Sequence, residues 1–333
     1  MKREYVAICI LLIILEVTVT NVHPTFCETS WKYTIVIDAS HGLAINVSAL
    51  KMGLENITAL IEREYNVSID VWVFEEGRIN KTTLSGVNIW FIPPLNGSIF
   101  YKTFEINALK WFLEEGGILI VSSSAYISYN PHPDPLVLND ILRGLELGTK
   151  VRFYHYEGSG DTLYDSINGL VNGCVINITG NFMSRKLREY LNKSLIIRSS
   201  SIEVLNPSEF LVINAPPTAF SLNGNLSVSY GNFSVFAMNK TETDGAIVLL
   251  GFAEVITNAT SPLGVPWLKL GDNLQFIKNL LIDLLQVRQR IKTQVTKLTF
   301  PLCLIYFVLG AILLVLSIIK LGRKPKRIKR RKT

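Results

Sequence analysis

Residues 112–126 read FLEEGGILIVSSSAY: the end of a helix-like segment, two glycines, an apolar run and three consecutive serines. Leu109 and Leu113 belong to a stripe at helical spacing, which Gly116 and Gly117 stop. The apolar run that follows has no polar alternation, as expected of a strand covered on both faces. This stretch therefore predicts one helix-then-strand unit of an α/β fold.

The same kind of unit recurs toward the N-terminus. YTIVIDASHG at 33–42, SIDVWVF at 68–74 and NIWFIPP at 88–94 read as strands, and apolar residues at helical spacing from Leu50 to Ile61 predict a helix between the first two. Repeated units of this size predict a mostly parallel sheet flanked by helices on both faces. Ligands of such sheets bind at the carboxyl ends of the strands.

The second half of the chain is predicted to carry extra β hairpins. Short β segments are predicted at 151–156, 195–205, 210–215 and 228–239. Gly231 and Asn232 predict a hairpin turn within the last of these. AIVLLGF at 246–252 has no polar alternation and predicts a central strand, and 274–284 has the apolar spacing of a closing helix.

The two ends predict export and membrane attachment. Residues 1–27 combine Lys2 and Arg3 with a short apolar core, which is typical of a signal peptide; an uncleaved signal anchor is the alternative. Residues 298–321 are long and apolar enough to span a bilayer. The predicted ectodomain, 31–287, reaches that span through the juxtamembrane segment 288–297.

The C-terminal tail, 322–333, fixes the predicted orientation. It holds eight basic residues and no acidic one, so it is predicted to lie in the cytoplasm and the ectodomain on the extracellular or luminal side. The tail's eight positive charges exceed the net charge of +6 of the whole chain, so the ectodomain is nearly neutral. The predicted partner is therefore the membrane, with its anionic lipids, and not a nucleic acid.

Sequons for N-glycosylation support an exported ectodomain. The pattern Asn-x-Ser/Thr occurs at Asn46, Asn56, Asn66, Asn80, Asn96, Asn177, Asn192, Asn225, Asn232, Asn239 and Asn258. All eleven lie between the predicted signal and the predicted span. Cysteines are scattered and only Cys174 surely belongs to the ectodomain, so neither a disulfide framework nor a thiolate metal site is predicted.

Polar residues at two strand ends form a possible cleft: Asp38, Ser40, His41, Ser122, Ser123 and Ser124. Serine, histidine and aspartate are the side chains of a nucleophilic hydrolase. However, bulky Tyr126 and Ile127 stand where a G-x-S-x-G elbow has small residues. Such residues also cap strand ends, so the sequence predicts no catalytic residue, metal or cofactor.

Several segments together resemble the GIFT-domain family, whose fold is similar to class I glutamine amidotransferases and flavodoxin-like proteins. They are DASHG at 38–42, NIWFIPP at 88–94, and the segments 105–124, 245–258 and 271–285. True amidotransferases carry a cysteine nucleophile after a strand like 118–124, and no cysteine stands there. The resemblance implies a cleft that binds without turnover.

The resemblance also implies partners. Signal, ectodomain and single span look like the non-catalytic subunit of oligosaccharyltransferase, a scaffold for protein N-glycosylation whose span packs beside the catalytic subunit. The alternative is a surface component associated with an ABC transporter, similar to a gliding-motility protein, that binds a sugar or peptide. A membrane-tethered serine hydrolase is the second alternative. Cell surface and endoplasmic reticulum both stay open.

Overall fold

The computed structural model describes residues 31–128, 130–155, 159–188 and 194–287, together with 309, 310 and 313. The chain divides into one unit at 1–285 and another at 286–333, and the architecture below belongs to the first. No helix within the described residues is long and apolar enough to cross a membrane. The predicted signal peptide, juxtamembrane segment, basic tail and nearly all of the predicted span lie outside them.

Helices and strands alternate through the first half, and strands dominate the second. The helices are α1 (Val47–Tyr65), α2 (Lys81–Leu84), α3 (Thr103–Glu114), α4 (Pro135–Gly144), α5 (Arg185–Arg188) and α6 (Asn273–Leu284). The strands are β1 (Lys32–Asp38), β2 (Ser68–Phe74), β3 (Ile89–Ile92), β4 (Ile118–Ser122), β5 (Val151–Phe153), β6 (Asp161–Tyr164), β7 (Gly169–Leu170), β8 (Val175–Thr179), β9 (Ser194–Ile197), β10 (Ile202–Val204), β11 (Leu211–Asn214), β12 (Phe220–Asn223), β13 (Val228–Tyr230), β14 (Ser234–Lys240) and β15 (Ala246–Leu250).

The described strands form one large sheet and two small ones. The large sheet has nine strands in the order β2-β1-β3-β4-β15-β14-β10-β5, with β11 also paired to β14. Its first five strands are parallel, and the remaining pairs are antiparallel. The small sheets, β13-β12-β6 and β7-β8-β9, are antiparallel. The fold is thus mixed α/β with a mostly parallel core sheet and extra antiparallel sheets.

Helix α1 begins and ends where its sequence supplies caps. The Asn46 side chain accepts a hydrogen bond from the Ala49 amide at 3.1 Å. Asn66 adopts the left-handed conformation at the other end of the helix, and its backbone amide donates to the Glu62 carbonyl. The stripe from Leu50 to Ile61 is buried, as its spacing predicts.

Helices α3 and α4 cover one face of the large sheet. Their apolar side chains share a core with Trp90 of β3, Val121 of β4 and Leu249 of β15. Strand side chains alternate between faces, and the intervening Ile120 and Val248 are also buried. Both faces are therefore covered, which explains why these strands read as continuous apolar runs.

The central strand at 246–252 is confirmed, because β15 lies between β4 and β14. The predicted hairpin turn at Gly231 and Asn232 is wrong. The strands on its two sides enter different sheets: β13 pairs with β12, whereas β14 pairs with β15, β11 and β10. Burial separates them, since β14 is almost wholly buried and β13 is largely exposed. The segment 195–205 likewise divides into β9 and β10, which belong to different sheets.

Candidate functional site

The strand order places a crevice beside β1. The chain moves from β1 to β2 on one side and then returns to β3 on the other, so the connections after β1 and β3 diverge. This reversal is the position where doubly wound sheets of order 2-1-3-4-5 bind ligands. Asp38 is the last residue of β1, and Ser40 and His41 follow it. Tyr101 lies on the connection from β3 into α3, and Glu105 lies in the first turn of α3. These residues form the switch-point cluster: Asp38, Ser40, His41, Tyr101 and Glu105.

Asp38 is the centre of this cluster. Its carboxylate is fully buried and accepts hydrogen bonds from the Ser40 amide at 2.9 Å and the Ser40 hydroxyl at 2.7 Å. The Tyr101 hydroxyl donates to the other carboxylate oxygen, which also lies 3.1 Å from His41 Nδ1. A buried carboxylate needs such donors, because removing it from water without them is costly. The end of β1 is thereby tied to the connection after β3.

His41 lies between two carboxylates and under a ring. Its Nδ1 faces Asp38, its Nε2 lies 3.5 Å from Glu105 Oε2, and its imidazole stacks on Tyr101 with 3.7 Å between ring centroids. Burial lowers the pKa of His41. The hydrogen bond to Asp38 and the charges of Asp38 and Glu105 raise it by more than burial lowers it, so the pKa lies above its ordinary value of 6.5. Burial beside Asp38 also raises the pKa of the Tyr101 hydroxyl well above 10.

Glu105 is held by backbone donors from two segments. Its carboxylate accepts from the Lys102 amide at 2.9 Å, at the start of α3, and from the Ile79 amide at 3.3 Å. A glutamate at this helical position reaches back to the cap and suits the positive end of the helix dipole. Glu105 therefore links the segment before α2 and the start of α3 to His41.

Four of the five residues of the switch-point cluster are buried, and Ser40 is half-buried. Asp38, His41 and Glu105 are each at most 4% exposed and Tyr101 is 7% exposed. None of these residues lines either of the two surface cavities described for this chain. The two ring nitrogens of His41 face protein groups, and Tyr101 covers one face of the imidazole.

The predicted serine cluster lies elsewhere. Strand β3 separates β4 from β1, so the ends of β1 and β4 lie roughly two strand spacings, about 10 Å, apart. Ser122 donates its hydroxyl to the Ile92 carbonyl at 3.1 Å, and Ser123 pairs through its backbone with Leu250 and Ala253. All three serines are buried, and the Ser124 hydroxyl has no partner among the described residues.

The structure thus brings Asp38, Ser40 and His41 together and keeps the three serines apart from them. His41 makes its described polar contacts with Asp38, Ser40 and Glu105. Sequence reasoning missed Tyr101 and Glu105 as members of this group. The available signal was the connection after β3, which a 2-1-3 strand order places beside the connection after β1.

A further buried carboxylate, outside the switch-point cluster, lies between two sheets. Asp161 of β6 is fully buried and accepts hydrogen bonds from the Ser201 amide at 3.0 Å, the Ser201 hydroxyl and the Ser221 hydroxyl at 2.7 Å. Burial raises the pKa of Asp161 to about 6, although these hydrogen bonds oppose the rise. Asp161 joins a small antiparallel sheet to the segment that enters β10.

Most of the sequon asparagines are accessible in the described chain. Seven are exposed: Asn46, Asn56, Asn66, Asn80, Asn225, Asn232 and Asn258. Asn96, Asn177 and Asn239 are half-buried, and Asn192 lies outside the described residues. Two of the exposed asparagines, Asn46 and Asn80, also cap helices through their side-chain oxygens.

Comparisons with known proteins give a fold likeness only. No family model and no curated protein matches the chain. Among solved structures, a ThuA-like protein from Bacteroides uniformis is 14% identical, with 77% of this chain and 93% of that chain covered and a TM-score of 0.40. A ThuA-like protein from Parabacteroides merdae is 10% identical, with coverages of 75% and 88% and a TM-score of 0.38.

The resemblance to the GIFT-domain family is wrong. No family model matches the chain, and the two solved structures named above are ThuA-like. The segments that suggested the resemblance are apolar strands and amphipathic helices, which many doubly wound α/β chains share. Such patterns report the sheet and its helices, and they do not distinguish one family from another.

Proposed function

We propose that this protein is an extracytoplasmic binding domain, held at a membrane by one C-terminal span, that acts through recognition and not through bond making or breaking. Its predicted signal peptide, its predicted span at 298–321 and its eleven sequons support the location. Exposure of seven sequon asparagines in the described chain is consistent with a glycosylated outer surface.

The burial and internal pairing of His41 is the observation that carries the non-catalytic part. A general base must lie within hydrogen-bonding reach of a substrate proton. Both ring nitrogens of His41 face groups of the protein itself, and Tyr101 covers its ring. The residues best suited to proton transfer are therefore committed to holding β1 and α3 together.

Two partner roles stay predictions. A scaffold role in oligosaccharyltransferase and an association with an ABC transporter were both implied by the GIFT-domain resemblance, which the comparisons overturn. No contact of the described residues bears on either role. Cross-linking in native membranes followed by mass spectrometry identifies the neighbours directly.

Protease protection tests the location. Sealed membranes of known orientation are treated with protease and probed with antibodies against the ectodomain and against residues 322–333. We expect cleavage of the ectodomain from the extracytoplasmic side only, and glycopeptides at the exposed sequons. Protection of the ectodomain against protease on that side contradicts the proposal.

A serine-directed phosphonate tests the absence of hydrolase chemistry. The full chain is incubated with a fluorescent probe beside an authentic serine hydrolase, which must be labelled for the experiment to count. We expect no labelling of this protein, because no described imidazole contacts Ser122, Ser123 or Ser124 and the Ser40 hydroxyl, 2.8 Å from His41 Nδ1, donates to the buried Asp38 carboxylate. Labelling that disappears in Ser124→Ala and in His41→Gln identifies a hydrolase and overturns the non-catalytic reading.

A further inference from the structure

An open cavity lies at the far edge of the large sheet, where α4 ends and β5 begins. Its volume is about 520 Å³, within the range of small-molecule sites. The side chains that matter for its chemistry are Arg143, Arg152, His155, Thr149 and Glu146. We call it the β5-edge cavity.

The wall of this cavity is rigidly built. Asn139 of α4 is more than nine-tenths buried, and its side-chain amide donates to the Phe153 carbonyl at 2.8 Å while accepting from the Phe153 amide at 2.8 Å. The side chain thus replaces a neighbouring strand at the outer edge of β5. Because α4 and β5 are locked together, Arg143 and Arg152, one on each element, keep a fixed spacing between their backbones.

Two arginines line the cavity, and each is already paired with a carboxylate outside the lining. Arg143 uses one terminal nitrogen to contact Asp140 at 2.6 Å, and Arg152 uses its Nε to contact Glu203 at 2.5 Å. A guanidinium carries five N–H donors, so each arginine keeps further donors for a ligand. The one acidic side chain among the described lining residues, Glu146, is itself paired with Lys110 at 2.5 Å.

Two further features belong to the lining of the cavity. His155 is half-buried, and its Nδ1 is buried with no hydrogen-bond partner among the described residues. A Cβ atom at Gly148 would lie 3.1 Å from the Cα of Arg143, so a larger residue there would displace the base of that arginine.

The cavity also lies in a part of the chain without sequons. No Asn-x-Ser/Thr triplet occurs between Asn96 and Asn177, and every lining residue falls in that interval. Glycans of an exported domain would therefore be attached outside the segment that forms this cavity.

We infer that the β5-edge cavity binds a small soluble molecule carrying a carboxylate or phosphate group, and that Arg143 and Arg152 donate hydrogen bonds to that group. Guanidinium groups match the planar, paired oxygens of such anions better than ammonium groups do. The inference rests on the proposed binding function and gives it a site and a ligand class.

Calorimetric titration of the full chain in detergent at low ionic strength tests the inference. The probes are inorganic phosphate, glucose 6-phosphate and glucuronate, with glucose as the uncharged control. We expect the anions to bind and glucose not to. Arg143→Gln and Arg152→Gln should each weaken binding roughly tenfold or more, which corresponds to about 1.4 kcal/mol. Arg63→Gln, an exposed arginine of α1 outside the cavity, should leave binding unchanged.

A second pair of variants should act in the opposite direction. Asp140→Asn and Glu203→Gln remove the carboxylates that compete for the two arginines, so anion binding should become tighter by a few-fold. A merely structural role of the arginines does not produce tighter binding.

The outcomes separate cleanly. Failure of all three anions to bind, or equal binding to wild type and to the double arginine variant, overturns the inference. Binding only to vesicles that contain phosphatidylglycerol, and not to the soluble anions, also overturns it, since the site would then read a lipid headgroup. None of these results affects the protease-protection and phosphonate tests, so the proposed function stands or falls separately.

Discussion

Polar side chains are buried at the switch point of the large sheet and exposed at its β5 edge. At the switch point, Asp38, His41 and Glu105 are buried and their hydrogen bonds are made within the protein. At the β5 edge, Arg143 and Arg152 have side chains 75% and 50% exposed, and each keeps free donors beside an open cavity. Strand order alone favours the first place as the binding site, whereas the accessible donors lie at the second.

The difference teaches that charge and access must be considered together. Buried charges paired on all sides fix the relative positions of the elements that carry them, and breaking one pair is expensive. Exposed charges contribute little to stability, because water competes for them, but they can exchange a protein partner for a ligand. Variants at the switch point should therefore change stability, and variants at the β5 edge should change binding.

The largest expected effect is at Asp38. Asp38→Ala leaves the Tyr101 hydroxyl and His41 without their buried acceptor, and should lower the free energy of unfolding by about 3 to 5 kcal/mol. The midpoint of thermal unfolding, followed by fluorescence, should fall by at least about 6 °C. Asp140→Asn, the matched carboxylate at the β5 edge, should change it by less than about 1 °C. Equal effects of the two variants on the unfolding midpoint would contradict the proposed difference between the switch point and the β5 edge.

Asp161 extends the contrast to a buried carboxylate in another part of the domain. Its folded-state pKa of about 6 lies above the ordinary value of 3.8. Between these two values the folded protein retains a proton that the unfolded chain has lost, so the free energy of unfolding decreases as pH rises through this window. The decrease should be on the order of 3 kcal/mol.

Asp161→Asn should remove that decrease. Denaturant unfolding of wild type and variant at pH values from 4 to 7 measures it, and subtracting the two curves cancels the contributions of other groups. Parallel curves for the two proteins would show that Asp161 is not the group that titrates.

The pH dependence of the free energy of unfolding tests the pairing of His41 within the switch-point cluster. Since its folded-state pKa is raised above 6.5, the stabilisation from its cationic form is fully present below pH 6.5 and is lost as pH rises through the folded-state pKa. The slope cannot exceed about 1.4 kcal/mol per pH unit for one group. His41→Gln should flatten the unfolding free energy above pH 6.5, and His132→Gln, which lies outside the cluster and stacks on Tyr126, should not.

The smallest stability effect is expected at Arg143. Its pair with Asp140 is exposed on both sides, so Arg143→Gln should change the free energy of unfolding by less than about 0.5 kcal/mol. Thermal unfolding without added anion measures this. A stability loss comparable to that of Asp38→Ala would mean that the β5 edge is structural, and the contrast between the two regions would fail.

Part of the site could be predicted from local sequence. Polar residues that follow β1 directly, Asp38 to His41, were expected at a strand end and do form a cluster there. Tyr101 and Glu105 are about 60 residues further along the chain, and only the pairing of β1 with β3 brings them close. No local pattern encodes that pairing, because it depends on which strands compete for the same edge of the sheet.

The sequence by itself determined the alternation of helices and strands, the apolar β15 as a central strand, and the caps of α1, because each depends on periodicity or side-chain chemistry within a few residues. Tertiary structure alone decided that β13 and β14 enter different sheets, that His41 is sealed under Tyr101, and that α4 and β5 leave a cavity between two arginines. These features arise from contacts between residues far apart in the chain, whose energies depend on the packing of the whole domain.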